Sequence, residues 1–181
     1  MGEWFYRSDE EWNAIAQRLK LTPCPHCRVV GTLNRHGSLY GYDESNHRPT
    51  VRARRVFCSN RNTRPGCGHT FSVWLADKIR RLSLTTAALW AFLQCAVAGT
   101  MLAAIRAADG HLSERTWQRV WKRFDRGQSQ IRTALASRCP PPELPAEHRP
   151  AAHVLAHLQA AFPDADCPIA AFQHTLRTFF V

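Results

Sequence analysis

Two cysteine pairs constrain this chain more than any other feature of its sequence. The first pair lies in the segment Cys24-Pro25-His26-Cys27, where one tight turn carries two thiols. The second pair, Cys58 and Cys67, comes later and is more widely spaced. A structural zinc site takes thiolate or imidazole ligands in a closed tetrahedron, so the two pairs predict one shared zinc ion.

The fourth ligand of this predicted site has alternatives. Cys67 is followed by Gly68, and a turn around a metal needs the backbone freedom of glycine. His69 and His26 are imidazole alternatives, and either could instead lie exposed beside the site. Thiolate preference and spacing favour the set Cys24, Cys27, Cys58 and Cys67.

Unrelated buried thiols and disulfides are the alternatives to a metal site. Disulfides are disfavoured because the chain has 7 cysteines, an odd number, and no secretory signal is evident. We therefore expect a cytoplasmic protein with reduced thiols.

Hairpin sequence separates the cysteine pairs. Residues 29–33 and 51–57 alternate as strands do, and the connection 34–50 is rich in Gly, Asn, Ser and Pro. A last strand is predicted over 70–75. Residues 22–78 are therefore predicted to form a zinc ribbon. Before it, Ser8 and Glu11 make a capping box that starts a short helix within residues 1–21.

Residues 82–105 contain no charged side chain, so a membrane span has to be considered. Polar residues within this run argue against a span, and Gly99-Thr100 reads as a helix C-cap followed by an N-cap. We expect two helices, over 84–98 and 101–108. A turn at 109–111 and a third helix from Ser113 follow.

The third helix is predicted to be amphipathic. Trp117, Val120, Trp121 and Phe124 recur with helical spacing and form an apolar stripe, while the opposite face is basic. Three helices in this order predict a helix-turn-helix over residues 79–138. An ordinary helical hairpin with a solvated basic face is the alternative.

The end of the chain is predicted to be a separate helical tail. Prolines after Cys139 end the preceding helix, and residues 139–150 form a Pro-rich linker. Helices over 151–162 and 169–180 follow, and their apolar stripe either folds back on the helical domain or meets a second copy in a homo-oligomer. The predicted fold class is thus α+β, a small zinc ribbon followed by an all-α helix-turn-helix domain and a short helical tail.

Positive charge is concentrated in the first two regions. The net charge is +10, and residues 79–139 carry 10 basic against 3 acidic side chains. This excess predicts a polyanionic partner, double-stranded DNA. A guanidinium group can donate two hydrogen bonds to a phosphate or to the edge of a guanine base. The ribbon candidates are Arg48, Arg52, Arg54, Arg55, Arg61 and Arg64. The candidates on the third helix are Ser113, Glu114, Arg115, Gln118, Arg119 and Lys122.

The sequence resembles the zinc-ribbon/helix-turn-helix proteins of short bacterial insertion sequences, either stand-alone regulators or the N-terminal region of a transposase. The motifs that carry the resemblance are Cys-Pro-His-Cys, then His36-Gly37, Arg-Val-Phe-Cys-Ser over 55–59, and Cys67-Gly68-His69-Thr70-Phe71. It covers residues 22–125. The resemblance implies the four-cysteine ligand set, a third helix in the major groove and a nucleoid-associated bacterial protein.

A transposase also needs a carboxylate triad on a β-rich core that binds two metal ions. The few acids after residue 78 lie in no such segment, so we expect a protein that is not an enzyme and acts by binding DNA in transposition or its regulation. Two alternatives stay open. One is the DNA-targeting subunit of a transposase or nuclease complex whose catalysis lies in a partner chain, and the other is a zinc adaptor that binds protein.

Overall fold

The computed structural model describes residues 4–43, 46–108, 112–145 and 148–181. Within these residues the chain forms one four-stranded sheet and six α-helices, which confirms the predicted α+β class. The strands are β1 (Trp4–Tyr6), β2 (Leu33–Asp43), β3 (Asn46–Cys58) and β4 (Thr70–Leu75). The helices are α1 (Asp9–Arg18), α2 (Thr86–Ala98), α3 (Met101–Ala107), α4 (Glu114–Ala136), α5 (Pro150–Ala161) and α6 (Pro168–Leu176).

The sheet has the strand order β1-β4-β3-β2, and β2 forms one of its edges. β1 runs parallel to β4, while β4, β3 and β2 pair antiparallel. The predicted strand at 70–75 is confirmed, as is the capped first helix, in which the Ser8 hydroxyl accepts a hydrogen bond from the Glu11 amide. The pairing of β1 with β4 joins residues 4–6 to the last strand of segment 22–78, which is called the ribbon below.

The predicted hairpin boundaries were wrong. Residues 29–33 do not form a strand, because Gly31 has a positive φ of 84° and the carbonyl of Val29 accepts a hydrogen bond from Cys24. Within the predicted loop over 34–50, residues 34–43 instead belong to β2 and residues 46–50 to β3. The glycines that suggested a loop are part of the sheet. Gly37, with φ 92°, lies where the register of β2 against β3 shifts. Gly41 has no side chain and so leaves room for that of Arg52.

A small apolar core lies between the sheet and α1. Trp12 and Leu19 from α1 and the following helical turn pack against Tyr6, Val56 and Val73 of the sheet. The buried thiols of Cys24 and Cys58 belong to the same cluster. The metal-ligand candidates are therefore part of this core and are not attached to its surface.

The remaining helices share a second and larger core. It includes Leu89 and Phe92 of α2, Trp117 and Phe124 of α4, and most of the buried residues of α5 and α6. Of the two alternatives for the tail, the structure shows the one in which it folds back on the helical domain. The predicted last helix ends at Leu176 rather than at residue 180, because Arg177 adopts a left-handed φ of 51°.

Helix α6 also links the two cores. The Gln173 amide donates hydrogen bonds to the carbonyl oxygens of Ala76 (2.8 Å) and Lys78 (3.2 Å), just after β4. Beyond the helix, the Phe179 ring meets Phe5 and Trp74 edge-on, at centroid distances of 5.1 and 5.5 Å. The tail thus holds the sheet against the helical domain.

The uncharged run over 82–105 divides at Gly99 as predicted. Thr85 caps α2 and Thr100 caps α3, each through its side-chain oxygen. Among the described residues, no helix combines the length and the apolar character that crossing a membrane requires. The turn predicted at 109–111 lies outside the described residues.

Candidate metal centre and basic surfaces

The four cysteines of the predicted set come together at one end of the sheet. Their sulfur atoms all lie within 4.8 Å of one another. The Sγ atoms of Cys24 and Cys67 are 3.8 Å apart, and those of Cys27 and Cys58 are 3.7 Å apart. An ion that holds four thiolates at about 2.3 Å in a tetrahedron separates the sulfurs by about 3.8 Å. The cluster therefore fits a four-coordinate metal ion.

The first pair is held by a tight turn. The Arg28 amide donates to the Cys24 carbonyl (2.9 Å), and the Cys24 amide donates to the Val29 carbonyl (3.0 Å). Arg28 takes a left-handed φ of 65° to close this turn. The His26 amide points at the Cys24 sulfur (3.4 Å), as an amide does when it stabilises a thiolate. This turn brings both thiols of the pair to one point.

The second pair reaches the same arrangement despite its wider spacing. The Gly68 amide donates to the Cys58 carbonyl and the Cys58 amide to the His69 carbonyl, both at 2.9 Å. Gly68 has φ 76°, which confirms the predicted need for glycine after Cys67. A side chain at Gly66 would collide with the Ser59 carbonyl and lie 2.9 Å from the Cys58 sulfur. The residues between Cys58 and Cys67 therefore loop out. The backbone hydrogen bonds that close the turn around these two cysteines are as short as those around the first pair.

The cluster surroundings shift the pKa values of the metal-free thiols in opposite directions. Burial raises the pKa of Cys24 to about 12. Burial also acts on Cys58, but the Thr32 hydroxyl (3.1 Å) and the Cys67 amide (3.3 Å) outweigh it and lower its pKa to about 7. A metal ion would bind all four groups as thiolates, so binding releases protons and weakens in acid.

The two histidines lie beside the cluster rather than in it. His26 and His69 are exposed, and their rings stack on each other with centroids 4.8 Å apart. Among the described residues, the metal-ligand cluster consists of cysteines alone. The structure thus places Cys67, and not His69, at the fourth position.

Two parts of the site were not predicted from the sequence. Thr32 comes before β2 and has no recognisable motif, so its contact with Cys58 could not have been anticipated. Gly66 could have been, because a Gly-Cys-Gly triplet is typical of a close backbone approach to a metal. Comparison of the chain with protein-family models, with curated proteins and with solved structures finds no match in any of the three.

The prediction that Arg52 contacts DNA was wrong. Its side chain is only 7% exposed, and its guanidinium donates hydrogen bonds to the carbonyl oxygens of Tyr42 (2.6 Å), Ile79 (2.7 Å) and Leu82 (2.6 Å). These bonds join the hairpin to the segment that leads into α2. A guanidinium group donates hydrogen bonds equally well to phosphate oxygens and to a group of carbonyl oxygens. The sequence therefore does not show which of these two roles an arginine has.

Arg54 is also used inside the protein. Its guanidinium donates to a carboxylate oxygen of Asp9 (2.7 Å) and to the Ser38 hydroxyl (3.0 Å), which ties β3 to the first turn of α1. This ion pair removes Arg54 from the predicted DNA contacts. Arg55 is half-buried on the other face of β3, and Arg48, Arg61 and Arg64 are exposed.

Helix α4 has the two faces that the sequence predicts. Trp117, Val120 and Phe124 are buried, and Trp121 is half-buried. Ser113 caps the helix with its hydroxyl, and the Gln118 amide donates to Glu114 (3.0 Å). The exposed cations on the helix are Arg115, Arg119, Lys122, Arg123, Arg126 and Arg132.

Arg123 was not among the predicted contacts, although its position follows from the same helical spacing. Within the described part of the chain, no carboxylate forms an ion pair with any of the six α4 cations. Their positive charge is therefore available to an outside partner.

Proposed function

We propose that the protein is a zinc-dependent, double-stranded DNA-binding protein of a mobile genetic element, acting as a transposition accessory or regulator. The observation that carries this proposal is the division of α4 into a buried aromatic face and an exposed basic face that is free of ion pairs within the described residues. The association with mobile elements comes from the sequence resemblance described above.

Zinc is the metal we assign to the four-cysteine cluster. Four thiolates leave no position for a substrate, which is typical of structural zinc and not of catalytic zinc. Iron can also take four thiolates in the same tetrahedral geometry. The choice of zinc therefore rests on the resemblance to zinc-ribbon proteins described above. The ion would then stabilise the ribbon and take no part in chemistry.

In the proposed complex, α2, α3 and α4 form the helix-turn-helix and α4 enters the major groove. The first turns of a recognition helix face the bases, and here they present Arg115, Gln118 and Arg119 to solvent. Arginine can pair with guanine and glutamine with adenine through two hydrogen bonds each. Lys122 and Arg126, further along the helix, are placed to reach phosphates.

The ribbon would contribute affinity rather than sequence specificity. Once Arg52 and Arg54 are excluded, its remaining candidates are Arg48, Arg55, Arg61 and Arg64. Each phosphate contact releases condensed counterions, so binding through these residues depends on salt and not on sequence.

Binding-site selection from a random duplex library tests the proposal. We expect wild-type protein to enrich one sequence, and Gln118→Ala and Arg119→Ala each to relax the preference at particular base pairs by about 1–3 kcal/mol. Arg18→Ala, an exposed arginine on α1, is the matched control and should select the wild-type sequence. The assignment of α4 to base readout fails if both α4 variants, still folded, select like wild type.

A further inference from the structure

The outer face of the β2–β3 hairpin carries exposed aromatic rings. Tyr40 is 65% exposed and Tyr42 is 54% exposed, which places them among the most exposed large apolar side chains of the described residues. They flank Gly41 on β2, in a stretch where the register against β3 shifts between Leu39 and Tyr40 and again between Gly41 and Asp43. Exposed rings at this spacing form a surface along the edge strand.

The neighbours of these tyrosines can be assigned to the same face. Gly41, between them, faces the side chain of Arg52, so Tyr40 and Tyr42 face away from it. On β3, Arg55 and Phe57 also alternate away from Arg52. Tyr40 is paired with Val51 in the register of the hairpin, which places the rings beside this face of β3.

Cations and further rings continue this surface toward the metal centre. The Arg61 guanidinium lies over the Phe57 ring at 5.6 Å, and the His36 ring lies 5.4 Å from the same ring. The sequence has no acidic residue between positions 46 and 76. Asp43 and Glu44 follow Tyr42 in the sequence, and their side chains lie outside the part of the chain that the structure describes. The positive end of the surface is therefore the end near Arg55 and Arg61.

We propose that this surface, formed by Tyr40, Tyr42, Arg55, Phe57 and Arg61, binds unpaired nucleotides of single-stranded DNA. The inference rests on the proposed function to the extent that DNA, rather than another polyanion, is the partner. Aromatic rings on an open sheet face accept bases by stacking, and flanking guanidinium groups bind the phosphates between them. A paired duplex does not offer its base faces, so the rings of this surface bind only unpaired DNA, whereas Arg55 and Arg61 can bind the phosphates of either form.

The composition of the surface favours a nucleic acid over a protein partner. A protein-docking face would be apolar at its centre with charges at the rim. Here guanidinium groups lie among the rings, and residues 46–76, which supply Arg55, Phe57 and Arg61, include no acid that would repel phosphate.

The test compares the binding of a fluorescein-labelled oligothymidine of about twelve nucleotides with that of the duplex found by site selection. Tyr40→Ala with Tyr42→Ala should weaken oligothymidine binding about tenfold or more, because two stacking contacts are lost, and should leave duplex binding unchanged. Tyr40→Phe with Tyr42→Phe keeps the rings and should bind like wild type. Metal content and the circular dichroism spectrum show whether each variant is folded.

The reciprocal variant separates this inference from the proposed function. Arg115→Ala with Arg119→Ala should weaken duplex binding and leave oligothymidine binding unchanged. If the wild type fails to bind duplexes but binds oligothymidine through the two tyrosines, the proposed function is wrong and this inference stands. If the folded alanine variant binds oligothymidine as tightly as wild type, or if the phenylalanine variant loses binding to the same extent, the stacking surface is refuted.

Discussion

The ribbon and the helical domain are stabilised in different ways. Among the described residues, the core of the helical domain contains 21 buried residues, all apolar, while the ribbon core contains 8, and two of those are the cysteines Cys24 and Cys58. A core this small buries too little apolar surface to offset the entropy of ordering a sheet and its long hairpin. A metal ion held by the four cysteines would supply free energy that the helical domain, with its larger core, does not need.

The same difference decides which charged residues are available for binding. In the helical domain, apolar side chains fill the interior and the cations of α4 stay outside. In the ribbon, apolar side chains are too few, and two arginines, Arg52 and Arg54, take over internal roles through hydrogen bonds. The ribbon therefore offers fewer free cations than its sequence suggests.

Removing the metal should have the largest effect on the difference between the two regions. Cys24→Ser, or a strong chelator, should abolish the metal-binding free energy, which is about 10–16 kcal/mol in zinc-finger peptides. We expect the sheet to lose its protection against hydrogen exchange while α2 and α4 keep theirs. Metal analysis should give one ion per wild-type chain and none in Cys24→Ser.

Cysteines outside the cluster provide the control for this experiment. Cys95, Cys139 and Cys167 take no part in the described cluster, so their serine variants should retain the full metal content. If helices and sheet lose protection together when the metal is removed, the two regions form one folding unit and the contrast between them is wrong.

The opposite experiment disrupts the helical core. Trp117 is 2% exposed and its ring stacks on Phe92 at 4.4 Å, so Trp117→Ala should lower the free energy of unfolding by about 3–5 kcal/mol. Trp121→Ala should cost about 1–2 kcal/mol, because that ring is only half-buried. Urea denaturation followed by circular dichroism measures both values. Trp117→Ala should still hold its metal, and loss of the metal would show that the ribbon depends on the helices.

Two neighbouring arginines of β3 should behave differently. Arg52→Ala leaves three carbonyl oxygens without their donor and should lower the free energy of unfolding by about 2–4 kcal/mol. Arg55→Ala should change stability by less than about 0.5 kcal/mol and should instead reduce DNA affinity and flatten its dependence on salt. Denaturation measures the stability of each variant, and DNA titration of the same samples measures its affinity. Equal stability of the two variants would contradict the internal role assigned to Arg52.

The smallest expected effect concerns the contact between α1 and the tail. Burial raises the pKa of Glu11, but hydrogen bonds from His174 (2.7 Å) and from the Arg7 amide (2.7 Å) hold it below its usual value. The contact therefore stabilises the protein at neutral pH, and this contribution is lost as the pH falls through the lowered pKa. Glu11→Gln should cost about 0.5–1 kcal/mol at pH 7 and less near pH 4, measured as the difference in unfolding free energy from wild type. If the difference in unfolding free energy between Glu11→Gln and wild type instead grows in acid, the lowered pKa assigned to Glu11 is wrong.

The sequence by itself determined the features whose physical cause is local. The Cys-x-x-Cys turn and the glycine after Cys67 follow from the geometry that a metal ligand turn requires, and the structure confirms both. Ser8, Thr85 and Ser113 start helices because their hydroxyls accept hydrogen bonds from amides three residues later. The buried stripe of α4 follows from helical spacing alone.

Only the tertiary structure decided the features that depend on distant partners. Composition predicted a loop over 34–50, but residues 34–43 form part of β2 and residues 46–50 part of β3, because the hydrogen bonds between the two strands outweigh weak local preference. The sequence left open whether the tail folds back on the helical domain or meets a second copy, and the structure shows it joining the two cores through Gln173 of α6 and Phe179 beyond the helix. Strand alternation places Arg52 and Arg55 on opposite faces of β3, but the sequence alone does not show which of the two faces meets the rest of the protein. Their roles differ because one meets a group of carbonyl oxygens from a distant segment and the other lies on the opposite face of the strand.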